Sequence, residues 1–126
     1  MATVLVVDDE PLIAMALEAA LEDAGHRVAT AANGRQGLER LAKPPRPDVV
    51  LLDMMMPVMN GPAMLAAMAA DADLRGIPVV VLSSLPEAAV RARAEGAAAI
   101  LRKPCTAEEV LDAIARLLGE AREAGT

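Results

Sequence analysis

Short apolar runs and longer Ala/Leu-rich stretches alternate along this chain, and the runs end on polar residues. Val4 to Val7 leads into Asp8-Asp9-Glu10, Val49 to Leu52 into Asp53, Val79 to Leu82 into Ser83-Ser84, and Ala97 to Leu101 into Arg102-Lys103-Pro104. The pattern predicts strands at Thr3–Val7, Arg27–Ala31, Asp48–Leu52, Pro78–Leu82 and Ala98–Leu101. It predicts helices over Glu10–Ala24, Gly34–Lys43, Gly61–Ala70, Glu87–Glu95 and Thr106–Leu118. Ile13, Leu17 and Leu21 share one face of the first helix, and Gly25 stands where a C-cap belongs. Pro44, Pro45 and Pro47 stop the second helix, and Thr106 with Glu109 reads as a capping box.

Strands alternating with helices imply an α/β fold: a doubly wound, five-stranded parallel sheet with right-handed crossovers and helices on both faces. Arg27–Ala31 is polar enough for an edge, and Asp48–Leu52 apolar enough for the centre. The tail after Leu118, Gly119 to Thr126, reads as too short for another domain, so residues 1–126 are expected to be one domain with its core over about 3–118.

Composition narrows the function. With 55% hydrophobic residues and no Phe, Trp or Tyr, the core is left to Leu, Val, Ile, Ala and Met. The cluster Met54, Met55, Met56, Met59, Met64 and Met68 therefore reads as core filler. A net charge of −6 argues against a nucleic-acid partner. One cysteine and one histidine exclude an internal disulfide and a Cys/His zinc site. His26 reads as an exposed turn residue and Cys105 as a buried, inert thiol. Without a signal peptide or an apolar run near the roughly 20 residues that span a bilayer, the expected location is the cytoplasm, with no membrane partner.

The chemistry sits at the strand ends, which open on one edge of a parallel sheet. Asp8, Asp9, Asp53, Ser83 and Lys103 would converge there as carboxylates, a hydroxyl and an ammonium. Such a set suits Mg²⁺ and phosphoryl transfer, with a carboxylate able to attack phosphorus and form an acyl phosphate. Repulsion among Asp8, Asp9 and Asp53 should raise at least one carboxylate pKa. Pro57 and Gly61 shape the loop after Asp53, and Lys103-Pro104 invites a cis bond.

Val-Val-Asp-Asp-Glu (6–10), Leu-Leu-Asp-Met-Met-Met-Pro (51–57) with Gly61, Val-Leu-Ser-Ser (81–84) and Lys-Pro (103–104) together resemble the receiver domain of two-component response regulators, of the single-domain chemotaxis-regulator kind. The resemblance implies a flavodoxin-like sheet of order 2-1-3-4-5. It implies that Asp53 accepts a phosphoryl group from the phosphohistidine of a sensor histidine kinase or a histidine phosphotransfer protein. Asp9 would bind Mg²⁺ directly, Asp8 through water, and Met55 through its backbone carbonyl, with Asp53 completing the set. Ser83 would bond a phosphoryl oxygen in the switched state, and Lys103 would pair with the group. Signalling would be by protein contact through the face of helix four, strand five and helix five, not by turnover of a substrate.

Ile100 stands where the family usually places the aromatic that swings with the hydroxyl, so the switch falls to Ser83 and Ile100. The segment 97–101 lacks the acidic residue of the transcription-factor dimer, and a monomer or weak homodimer is expected. Two other readings compete. One is a receiver that docks partners without phosphorylation. The other is a haloacid-dehalogenase-like phosphatase, whose nucleophile lies on the first strand with a second Asp two residues on, unlike the adjacent pair here.

Overall fold

In the computed structural model, which describes residues 2–56, 58–94 and 96–124, strands and helices alternate throughout. The strands are β1 (Thr3–Val7), β2 (Arg27–Ala31), β3 (Val49–Asp53), β4 (Val79–Ser83) and β5 (Ala99–Arg102). The helices are α1 (Pro11–Asp23), α2 (Gly34–Leu41), α3 (Gly61–Ala69), α4 (Glu87–Arg93) and α5 (Ala107–Ala124). All strand pairs are parallel and the order is β2-β1-β3-β4-β5, with β3 central and β2 at an edge.

The near-continuous Val and Leu runs follow from burial on both faces of the sheet. Leu5, Val7, Val50 and Leu52 point into a core closed by Leu41 of α2, Met64, Leu65 and Met68 of α3, and Val90 of α4. Val4, Val6, Val49 and Leu51 point the other way, against Ala14 and Leu21 of α1 and Val110 and Ile114 of α5. That period-2 alternation fixes the register, since a one-residue slip would exchange the two cores.

Local chemistry sets the helix ends. Asn33 and Asn60, for which no cap was expected, cap α2 and α3 through bonds from the Gln36 and Ala63 N–H groups, both 2.9 Å. Thr106 and Glu109 form the expected capping box. Gly25, at φ +93°, ends α1: its N–H bonds the Glu22 carbonyl and that of His26 bonds Leu21, a Schellman closure.

Three sequence expectations need correcting. α5 runs on past Leu118 to Ala124, so residues 119–124 are helical; Glu120, Ala121, Arg122 and Glu123 are strong helix formers, and one glycine at 119 costs only about 1 kcal/mol. His26 is half-buried and accepts a bond from the Ala2 N–H at Nδ1 (3.1 Å). Met55 is 64% exposed, whereas Met54, Met64 and Met68 are core. Pro57 and Glu95 lie outside the described residues.

Candidate phosphoryl-transfer site

The C-terminal ends of β1 and β3 lie side by side, with Val7 in register with Leu52, and this puts Asp8 beside Asp53. The Asp8 N–H donates to the Ala31 carbonyl, so Asp8 still follows the line of the sheet. Asp9 turns out to solvent while Asp8 and Asp53 are buried, at 3% and 5% exposure. Even so, one carboxylate oxygen from each of the three falls within 4.8 Å of the other two. The turn after β1 has achieved what an extended chain forbids, two adjacent carboxylates facing one crevice.

Lys103 comes in from the end of β5, its N–H held by the Ser83 carbonyl (2.8 Å) and its peptide to Pro104 cis, as the sequence suggested. Its Nζ lies 3.2 Å from Asp53 Oδ1 and 3.6 Å from Asp8 Oδ2. Asp8 Oδ1 accepts the Glu10 N–H at 2.9 Å, whereas Oδ2 is buried with no hydrogen bond. A buried carboxylate oxygen left in that state is costly unless a cation compensates it.

Burial pushes the Asp53 carboxyl above the usual range; Asp8 adds to the rise, while Lys103 and the Met55 N–H pull against it. Repulsion from Asp8 is thus present, but second to desolvation as the cause of the rise. For Lys103, burial alone would lower the pKa, but the carboxylates of Asp53 and Asp8 more than reverse this and hold the ammonium above the ordinary lysine value. Three carboxylates against one ammonium leave the site short of two positive charges. The donors are all hard oxygens, so a divalent cation such as Mg²⁺ fits both the charge and the chemistry.

Ser83 is buried at the end of β4, and its hydroxyl accepts the Leu85 N–H at 3.0 Å, turned into its own loop. Ile100 is half-buried against the core on the α4 side. The carboxylates and Lys103 therefore stand assembled, while Ser83 and Ile100 lie on the neighbouring strands. Cys105 is half-buried in an apolar groove of about 570 Å³ with Leu12, Ile13 and Leu17, and burial pushes its thiol pKa up, as suits an unreactive side chain.

The loop after Asp53 closes on glycines. A Cβ at Gly61 would lie 2.8 Å from the Asp53 carbonyl oxygen and 2.9 Å from Met54 Cα, both backbone atoms with nowhere to go. The Gly61 N–H also bonds the Met54 carbonyl (3.1 Å). Gly61→Ala should therefore destabilise the fold by about 1–3 kcal/mol, read as a lower urea midpoint at unchanged slope; a midpoint equal to that of the parent would show that the loop is free to move.

Residues 4–115 match the family described as the response regulator receiver domain. Protein PilH of Pseudomonas aeruginosa is 38% identical over 120 residues, covering 94% of this chain and 98% of PilH. The sensory/regulatory protein RpfC of Xanthomonas campestris pv. campestris is 38% identical over 126 residues, 97% of this chain but 17% of RpfC. Among solved structures, chemotaxis response regulator CheY4 of Vibrio cholerae superposes with a TM-score of 0.84 at 35% identity, over 92% of this chain and 98% of that one. The receiver domain of a histidine kinase from Syntrophus aciditrophicus gives 0.87 at 32% identity, over 95% and 92%. These findings set aside the phosphatase reading, and with a five-stranded 2-1-3-4-5 sheet and acidic strand ends the chain belongs to the receiver domain family of two-component response regulators.

Proposed function

We propose that this receiver is a phosphorylation-driven switch, with residues 1–126 acting as one unit and Asp53 as the phosphoacceptor. The observation that carries the reading is the placement of Lys103 Nζ 3.2 Å from Asp53 Oδ1, beside a buried Asp8 oxygen that lacks a hydrogen bond. Asp8, Asp9, Asp53 and the Met55 carbonyl are the residues that would hold Mg²⁺. When bound, the ion supplies neutralisation of charge on the transferring group. Asp53 provides the attacking carboxylate oxygen, and the phosphoryl group leaves a donor phosphohistidine, or a small phosphodonor, to form an acyl phosphate. Lys103 stays within reach of the oxygens that gain charge. The phosphoryl oxygens carry about −1.5 to −2 charges in place of the single charge lost from the Asp53 carboxylate, and they face the Lys103 ammonium. Ser83 then exchanges its bond from Leu85 for one to a phosphoryl oxygen, drawing in the loop that leads to α4.

The chain acts on partners by contact: a histidine kinase or phosphotransfer protein upstream, and downstream a protein on the face of α4, β5 and α5. Among the described residues no helix is long and apolar enough to cross a membrane. A phosphorylation-independent docking role is the competing reading, favoured by Ile100 in place of a swinging ring.

Incubation with acetyl phosphate separates the two. Phosphate incorporation should require Mg²⁺ and vanish in chelator. Mg²⁺ alone should raise the melting temperature by linkage, an effect that Asp9→Ala should weaken. No incorporation at any Mg²⁺ concentration would leave docking as the function. The output face is tested with beryllofluoride: amide shifts should extend from Ser83 and Leu85 into α4 and β5. Shifts limited to residues 54–60 would place the output elsewhere.

A further inference from the structure

Charge is unevenly spread over this acidic chain. Residues 24–47 hold five of its twelve basic residues against one acidic residue, a net of +4, while the rest carries −10. The acidic one, Glu39, pairs with Arg35 at 3.7 Å, and Arg46 Nε donates to the Leu41 carbonyl at 3.0 Å. Arg27, Arg40 and Lys43 make no ion pair among the described residues. All three line one groove of about 670 Å³, together with Ala29, Gln36, the rim prolines and Glu39, whose carboxylate is engaged by Arg35. Three unpaired cations gathered around one groove, in a protein with carboxylates to spare, mark a surface suited to an anionic partner.

The groove runs beside an open sheet edge. Among the described residues β2 pairs with β1 alone. The Arg27 N–H donates to Ala2 and the Ala31 carbonyl accepts from Asp8, so the peptide groups of residues 27, 29 and 31 face β1. Those of Val28 and Thr30 therefore face outward, with no backbone partner among the described residues. The side chains of residues 27 and 29 lie on the α2 side, Ala29 packing there with Leu38. An added strand would thus place alternate side chains over a small-residue floor, between Arg27 on one side and Arg40 of α2 with Lys43 just beyond its end on the other.

We propose that the outer edge of β2 and its cationic groove dock an extended acidic segment of a partner protein, which adds to the sheet beside β2. The cations and prolines that keep like-charged edges from pairing with β2 select for such a segment. Nucleic acid, the other polyanion, is disfavoured because its length would carry it past the groove onto the rest of a chain whose remaining residues sum to −10. The groove is bounded by the starts of β1 and β2, at Thr3 and Arg27, the end of the sheet opposite Asp8 and Asp53. The proposal is therefore independent of the phosphorylation reading.

The test uses the ¹⁵N-labelled chain and an acetylated, amidated pentapeptide alternating glutamate and valine, about the length of β2. Saturable amide shifts should centre on Val28 and Thr30, and those two amides should gain protection from hydrogen exchange. Arg40→Glu with Lys43→Glu, both on exposed side chains, should weaken binding about tenfold or more, as should a glutamine-valine peptide or high salt. Shifts scattered over other basic residues, binding unchanged by the double variant, or no new protection at Val28 and Thr30 would each overturn the proposal. So would a twelve-nucleotide single-stranded DNA binding the groove as tightly as the peptide.

Discussion

Asp53→Asn should abolish phosphate incorporation from a small phosphodonor and, in chelator, should raise the melting temperature. Both effects follow from one geometry. The amide keeps the shape of the side chain but supplies no anionic oxygen to attack phosphorus, and Asp9, the other carboxylate close to the crevice mouth, is exposed and has no ion pair to Lys103 among the described residues. The stability gain arises because Asp8 and Asp53, at 3% and 5% exposure, share a single ammonium, and one Asp8 oxygen has no hydrogen bond. Removing one of two buried like charges relieves desolvation and repulsion at the same time, while Lys103 keeps Asp8 at 3.6 Å as a partner. A relief of about 1 kcal/mol moves the midpoint of a domain this size by a few degrees. Acid-labile, hydroxylamine-sensitive label on the variant would remove Asp53 as the acceptor; an unchanged midpoint in chelator would show that Lys103 already balances the pair.

The parts of this molecule that were legible in its sequence are those written in side-chain period and strand-end chemistry. Val4–Val7 and Val49–Leu52 read as buried strands from their alternation with helical stretches, and in a parallel sheet the polar residues ending them share an edge. Asp8, Asp9, Asp53 and Lys103 come together for that reason alone. What escaped was set by three-dimensional context. That Asp9 faces solvent while Asp8 is buried depends on how the turn after β1 leaves the sheet. That desolvation outweighs repulsion in lifting Asp53 depends on how deeply the site lies. Asn33 and Asn60 carry a readable signal, an amide just before a helix, and each accepts a bond from an N–H of the first turn. The length of α5 was underestimated at Gly119, where four strong helix formers outweigh one weak residue. His26 looked like a turn residue, but its bond from Ala2 joins positions 24 apart in the chain, beyond the reach of local pattern.

Lys103→Met should slow phosphorylation of Asp53 by about 10²–10³-fold at saturating Mg²⁺ while leaving the fold intact. Methionine matches the unbranched stem of lysine and packs in its place, so the change isolates the charge. Lys103 Nζ lies 3.2 Å from Asp53 Oδ1, close enough to meet the oxygens that gain charge as phosphorus is transferred, in a crevice whose other side chains are carboxylates and a buried hydroxyl. Losing one such fixed donor in a partly dehydrated site costs about 2.7–4 kcal/mol in the transition state. Lys103→Arg retains the charge, but its planar fork must fit where a compact ammonium now touches both Asp53 and Asp8, so rescue should be partial. The measurement is the single-turnover rate of phosphate incorporation, with Mg²⁺ affinity determined in parallel. If Lys103→Met reacts at the parental rate with Mg²⁺ affinity unchanged, the ammonium serves only to balance the two buried aspartates. If the rate falls and Mg²⁺ binds more tightly, the lysine both competes with the metal for those carboxylates and stabilises the transferring group, as its position between Asp8 and Asp53 requires.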